Sequence, residues 1–136
     1  MTTTLDHRDP LSNVPESALT LLSQAERGLA DALVDLDAAQ RFAQAYLAAL
    51  RAGAALLALR GRPHRAQARP MSVWTLLASV APEMREWAAF FASCSATRAS
   101  VQAGITRAVT DRSADDLVRQ SGQFVDLVKR AIHGTP

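Results

Sequence analysis

The longest uninterrupted apolar pattern in the chain runs from Asp37 to Gly61, DAAQRFAQAYLAALRAGAALLALRG. At about 100° per residue, Phe42, Tyr46, Ala49, Gly53, Leu56 and Leu57 fall on one face, and Leu47, Leu50 and Ala54 widen that stripe well past an ordinary amphipathic helix. The spacing predicts a helix buried over most of its circumference, with the rest of the chain packed around it. Asp37 is its expected cap, with Gln40 reaching back as in a capping box, and Gly61 followed by Pro63 ends it.

Before this helix, residues 1–12 are polar, aperiodic and interrupted by Pro10, which predicts a flexible tail. Asn13, Pro15 and Glu16 form an N-x-x-E start with proline in the first turn. Leu19, Leu22, Leu29 and Leu33 then recur at helical spacing, and Asp31, Asp35 and Asp37 mark the turn into the central helix. A short link of this kind favours antiparallel packing.

After the central helix comes GRPHRAQARP, residues 61–70, a loop with two prolines, no acid and no apolar side chain larger than Ala. Ser72 is positioned to cap a short helix through Val80, and Pro82 restarts the chain in a longer helix reaching about Ala103, before Gly104. Met84, Trp87, Phe91, Cys94 and Val101 share one face of it, as a core stripe does. Arg98 lies on that face too, so it either snorkels past the core or pairs with an acid, and pairing is the expectation. Residues 104–112 read as an irregular connection, and Ser113 with Asp116 as the capping box of a last helix whose apolar stripe is Leu117, Ser121, Phe124, Val125, Val128 and Ile132. The pattern as a whole predicts an all-α, up-down bundle of four main helices plus a short extra one, in a single domain over residues 13–134.

Composition agrees with helices: the 136-residue chain is rich in Ala and poor in aromatic residues, and is long enough to bury roughly two-thirds of its unfolded surface. Fourteen of its fifteen cationic side chains are Arg, and four of those, Arg60, Arg62, Arg65 and Arg69, crowd into the loop, leaving eleven cations against thirteen anions elsewhere. Arg60, Arg62, His64, Arg65 and Arg69 are therefore the candidate binding residues for a nucleotide or RNA phosphate, against the alternative of a solvated connector. No aromatic side chain is interleaved among them to stack on bases. The last helix balances Asp115, Asp116 and Asp126 against Arg119, Lys129 and Arg130, which makes sequence-specific DNA reading unexpected.

Reactive chemistry is sparse. Cys94 is the only cysteine, so neither an intrachain disulfide nor a cysteine metal cluster is possible. His7, His64 and His133 are scattered, with no second ligand at zinc spacing, and no metal or cofactor is expected. Lys129 follows no glycine loop and no G-x-S-x-G elbow occurs, which excludes a Walker phosphate cradle and a hydrolase nucleophile. Adjacent Asp115 and Asp116 point in different directions on a helix and do not make a shared-proton dyad. No basic, apolar leader is present and Arg51 and Arg60 bracket the most apolar run, so a cytoplasmic protein with no membrane association is expected.

Four stretches, LLSQAERGLADAL, RFAQAYLAALRAGAALLALRG, SVWTLLASVAPEMREWAAFFA and RAVTDRSADDLVRQSGQFVDLV, together resemble a HEPN domain, and more narrowly an actinobacterial branch of small, stand-alone HEPN-like proteins without an assigned activity. They span residues 21–128 and are packing and capping patterns rather than a catalytic signature. The resemblance implies a helical bundle that commonly dimerises. Nuclease-active members use an Arg followed by four to six residues and a His. Here Arg60 and His64, and Arg130 and His133, are too close in sequence, and no other Arg has the spacing. No catalytic residue carries over, and the expected function is a non-catalytic helical module that binds a protein partner or RNA or nucleotide phosphates. A divergent HEPN ribonuclease, or a toxin–antitoxin-type component, is the alternative.

A homodimer is expected on local grounds as well. Ala88, Ala92, Ala96 and Ala99 stand opposite the core stripe of the longer second-half helix, with no charge on that surface after Glu86. The outer side of the central helix shows Ala48, Ala55, Ala58 and Leu59 around only Arg41, Gln44 and Arg51, and is expected to need a cover too.

Overall fold

The computed structural model describes residues 13–61 and 72–134. Among them are five α-helices, α1 (Glu16–Val34), α2 (Ala38–Arg60), α3 (Val73–Val80), α4 (Arg85–Gln102) and α5 (Asp111–His133), with a 3-10 turn at Pro82–Met84 leading into α4. No strand occurs among the described residues.

Local signals start and stop most of these helices. The Asp37 side chain accepts the Gln40 amide hydrogen at 3.0 Å, and the Ser72 hydroxyl accepts that of Thr75 at 3.1 Å. Gly61, at φ 80°, takes the positive-φ position that ends α2, where its amide reaches the Leu57 carbonyl at 2.8 Å. Two expected starts are corrected. Asn13 does not cap α1: the helix begins at Glu16 behind Pro15, with no side-chain cap. Helix α5 begins two residues before Ser113, because Thr110 and Ser113 exchange side-chain and backbone hydrogen bonds at 2.9 and 3.0 Å, a capping box one turn earlier than S-x-x-D.

Arg41, near the start of α2, reaches Asp111 and Asp115 at the start of α5, so these two helices run parallel. Arg60 at the end of α2 meets Glu83 just before α4, while Val101, near the end of α4, clusters with Ala39 and Ala43 near the start of α2, so α4 runs antiparallel to α2. Helix α1 packs back along α2, with Gly28 against Ala48. The result is the expected up-down bundle, with α2 in contact with every other helix.

The core has two textures. Helices α1 and α2 contribute many small residues to it: Ala18, Ala25, Ala32, Ala45, Ala48, Ala52 and Ala55 are completely covered. Between α2, α3, α4 and α5 it is aromatic: Trp74 stacks on Phe91 at 5.1 Å, Phe124 contacts Phe91 at 5.1 Å and Trp87 at 5.7 Å, and the Trp74 indole donates to the Tyr46 hydroxyl at 2.8 Å. A Cβ at Gly53 would come within 3.2 Å of Trp74 and Val73, so the glycine is what lets α3 lie so close to α2.

Every member of the α5 stripe read from sequence is buried. The α1 stripe is corrected at one position: Leu22 is buried and Leu19 and Leu29 pack partly buried against the core, with Ala18, Ala25 and Ala32 fully covered beside them, but Leu33 faces solvent. The supposed outer face of α2 is corrected as well, since Ala48 and Ala55 are fully buried inside the chain's own bundle. Helix α2 is long and apolar enough to cross a membrane by length and composition, but it is the mostly buried core helix here.

Candidate functional site

Of the five candidate binding residues, only Arg60 lies in the described part of the chain. It is not free: its guanidinium pairs with Glu83 at 2.6 Å, fastening the end of α2 to the turn before α4. The Glu83 carboxyl is held below the usual carboxylate range, first by its own backbone amide and then by Arg60. Arg62, His64, Arg65 and Arg69 lie outside the described residues.

The candidate interface on α4 divides. Ala92, Ala96 and Ala99 are exposed on its outer side, but Ala88 is buried at 2% exposure and leaves the proposed surface. Ala88 lies within about 20° of Ala99 and about 40° of Ala92 around the helix, so its burial comes from its place in the first turn of α4, where the bundle packs beside it, and not from a different face. Phe90 stands half-exposed beside this stripe, 5.0 Å from Phe91. Shallow hollows at the base of α4 are lined by Pro82, Glu83, Glu86, Trp87, Phe90 and Gln120.

Arg98 does not pair with an acid, as expected from sequence, but lies over the Tyr46 ring at 5.6 Å, with its Nε buried and without a hydrogen-bond partner. The first acids of α5 are engaged by a different arginine, Arg41. The Arg41 Nε donates to Asp115 at 2.9 Å, Nη2 to the Asp111 carboxylate at 3.1 Å, and Nη1 to the Asp35 carbonyl at 2.9 Å. Its protonated form is favoured further, chiefly by the Asp111 hydrogen bond. This clamp joins the α1–α2 link to the start of α5 and was missed in the sequence, where Arg41 reads as a lone charge on an outer face. Its acids lie about seventy positions away, beyond the reach of any local pattern.

Among the described residues no nucleophile is assembled with a base. Burial pushes the Cys94 thiol up, away from the reactive thiolate. Ser121 is fully buried in the α5 stripe with no hydrogen-bond partner, away from any acid or histidine contact. His133 is in the last turn of α5, and among the described residues no three His, Cys, Asp or Glu side chains gather where a metal could bind.

The chain is an all-α up-down bundle of four long helices and one short one. Residues 32–129 match the SAV_6107-like HEPN family, and the chain belongs to that family. No curated protein and no solved structure matches it.

Proposed function

We propose that the chain is a non-catalytic, cytoplasmic HEPN binding module that pairs with a second copy through the outer face of α4, with the arginine segment from Arg60 to Arg69 serving RNA or nucleotide phosphates. The observation that carries this reading is the surface of α4, where Ala92, Ala96, Ala99 and Ala103 remain exposed beside half-exposed Phe90 with no charge after Glu86. A solvent-facing helix ordinarily carries charges on such a face. Small side chains permit a second helix to approach closely, and Phe90 supplies an anchor that alanine does not.

Sedimentation at micromolar concentration tests the pairing: a dimer that Ala92→Glu converts to a folded monomer supports it, and a monomeric wild type sinks it. The non-catalytic reading is tested by incubating the protein with labelled total RNA beside a His64→Ala, His133→Ala variant. Cleavage that disappears in the variant would establish the divergent ribonuclease instead. Salt-dependent RNA binding should be lost when Arg62, Arg65 and Arg69 become Ala; binding retained in full reduces the segment to a connector.

A further inference from the structure

The link between α1 and α2 leaves apolar side chains in water. Leu33 is 69% exposed, Val34 76% and Leu36 95%, in a seven-residue run, DALVDLD, with three acids and no base. Ile105, 50% exposed, belongs to the α4–α5 connection at the same end of the bundle. Large side chains this close together and this exposed form a patch, not the scatter normal for a surface.

The charge on the α1–α2 link itself is negative, and the cations at this end are Arg41, Arg112 and the exposed Arg107 on the α4–α5 connection. Asp31 and Asp37 are exposed and Asp35 is half-exposed; Asp35 and Asp37 each accept one backbone amide, at 2.9 and 3.0 Å. Across the link, the exposed carboxylates of Asp111 and Asp115 share one cation, Arg41, which also holds the Asp35 carbonyl. Arg27, two turns back on α1, bonds Ser23 at 2.8 Å, and Arg112 on α5 stands 4.0 Å from Asp116.

A second observation is independent of the count of acids. The C-terminal end of α1 carries the negative pole of the helix, yet its last turn contains no basic residue, and Asp31 and Asp35 sit there instead. This placement is unfavourable for the isolated helix, and in the folded chain Arg41 brings one cation to it by donating to the Asp35 carbonyl at 2.9 Å, while the Asp31 and Asp35 carboxylates stay outward of that bond. The other helices of comparable length that end on a charged residue follow the opposite rule, with Arg60 closing α2 and Arg130 and His133 closing α5.

We propose that the α1–α2 corner, Leu33, Val34 and Leu36 within its acidic rim, docks a basic amphipathic segment of a partner protein. Apolar anchors of that segment cover the three side chains, and its Lys or Arg residues meet Asp31, Asp35, Asp37 and the free carboxylate capacity of Asp111 and Asp115. The proposal rests on the reading of the chain as a binding module but uses a surface separate from α4.

Fluorescence anisotropy of a labelled Leu/Lys amphipathic peptide, beside a Leu/Glu peptide with the same apolar spacing, tests it on the full chain at two salt concentrations. The Leu/Lys peptide should bind, more weakly at higher salt, and the Leu/Glu peptide should not. A Leu33→Ser, Leu36→Ser variant, folded by circular dichroism because both side chains are already in water, should bind at least about tenfold more weakly. Asp31→Lys should weaken binding too, while Gln123→Glu on the exposed side of α5 should leave it unchanged. Absence of Leu/Lys binding, equal binding of both peptides, or full binding by the double serine variant overturns the proposal. So does a dimer that the serine variant alone abolishes, which would assign the corner to a second copy. RNA cleavage or a monomer with peptide binding intact would sink the proposed function and leave this surface standing.

Discussion

Helices α1 and α2 bury a run of alanines, whereas α3 and α4 are fastened to α2 and α5 by aromatic rings. On the first side, Ala25, Ala32, Ala48, Ala52 and Ala55 vanish completely from solvent, and the close approach they permit spreads the contact over long stretches of backbone. On the second, Trp74, Trp87, Phe91 and Phe124 concentrate the burial in a few large groups, leaving the far side of α4 uncovered. The same residue type thus has two fates in one bundle. Ala48 is a spacer that sets how near α1 lies, while Ala96 touches nothing in the chain's own fold. Substitutions on the two sides should differ in kind, not only in size.

The largest loss should come from the aromatic junction. Phe124→Ala removes a fully buried ring that contacts Trp74, Trp87 and Phe91, and should lower stability by about 3–5 kcal/mol in denaturant titration. A loss near zero would mean that α4 is held by something other than these rings. The alanine side should resist enlargement instead: Ala48→Leu, pressed against Gly28, should cost about 1–3 kcal/mol, whereas Ala96→Leu measured on dilute monomer should stay within about 0.5 kcal/mol. Equal effects at the two positions would erase the distinction.

Replacing Arg41 by Met should produce a smaller drop in melting temperature, because the side-chain oxygens of Asp111 and Asp115 are exposed and rehydrate once released. Faster amide exchange should be confined to the starts of α2 and α5, and uniform acceleration through the bundle would contradict a local clamp. The smallest effect is at the opposite end. Because the folded carboxyl of Glu83 lies below its unfolded value, its stabilising contribution is present above the ordinary carboxylate range and is lost as pH falls through the lower folded value. With Glu83 half in water, the difference between wild type and Glu83→Gln across that acid window should be well under about 1 kcal/mol, read from melting temperatures against pH. A larger difference, or one that appears at neutral pH and vanishes in neither direction, would show that Glu83 acts through more than its charge.

Much of the helical frame was legible because its signals are local or periodic. Asp37, Ser72 and Gly61 act where they stand, and the α5 stripe from Leu117 to Ile132 repeats bulky residues at helical spacing, so its buried face could be read directly. Errors arose where one local signal competed with another. Thr110 caps α5 in place of the nearby Ser113, and Pro15 starts α1 without help from Asn13. The candidate site was less legible: Ala88 and Ala92 are the same residue four positions apart on nearly the same face, and only what the bundle packs beside each turn of α4 separates buried from exposed.

By itself, then, the order of residues determined the helices, the dominance of α2 in the core and the absence of a HEPN nuclease spacing, since each depends on residues within a few turns of one another. Tertiary structure alone decided that Ala48 and Ala55 are inside, that Arg41 joins the α1–α2 link to α5, that Arg98 lies on Tyr46 without an acid, and that Leu33, Val34 and Leu36 are left in water. Alanine is too small to announce which face it belongs to, and a charge pair spanning some seventy residues exists only once two helix starts have been brought together.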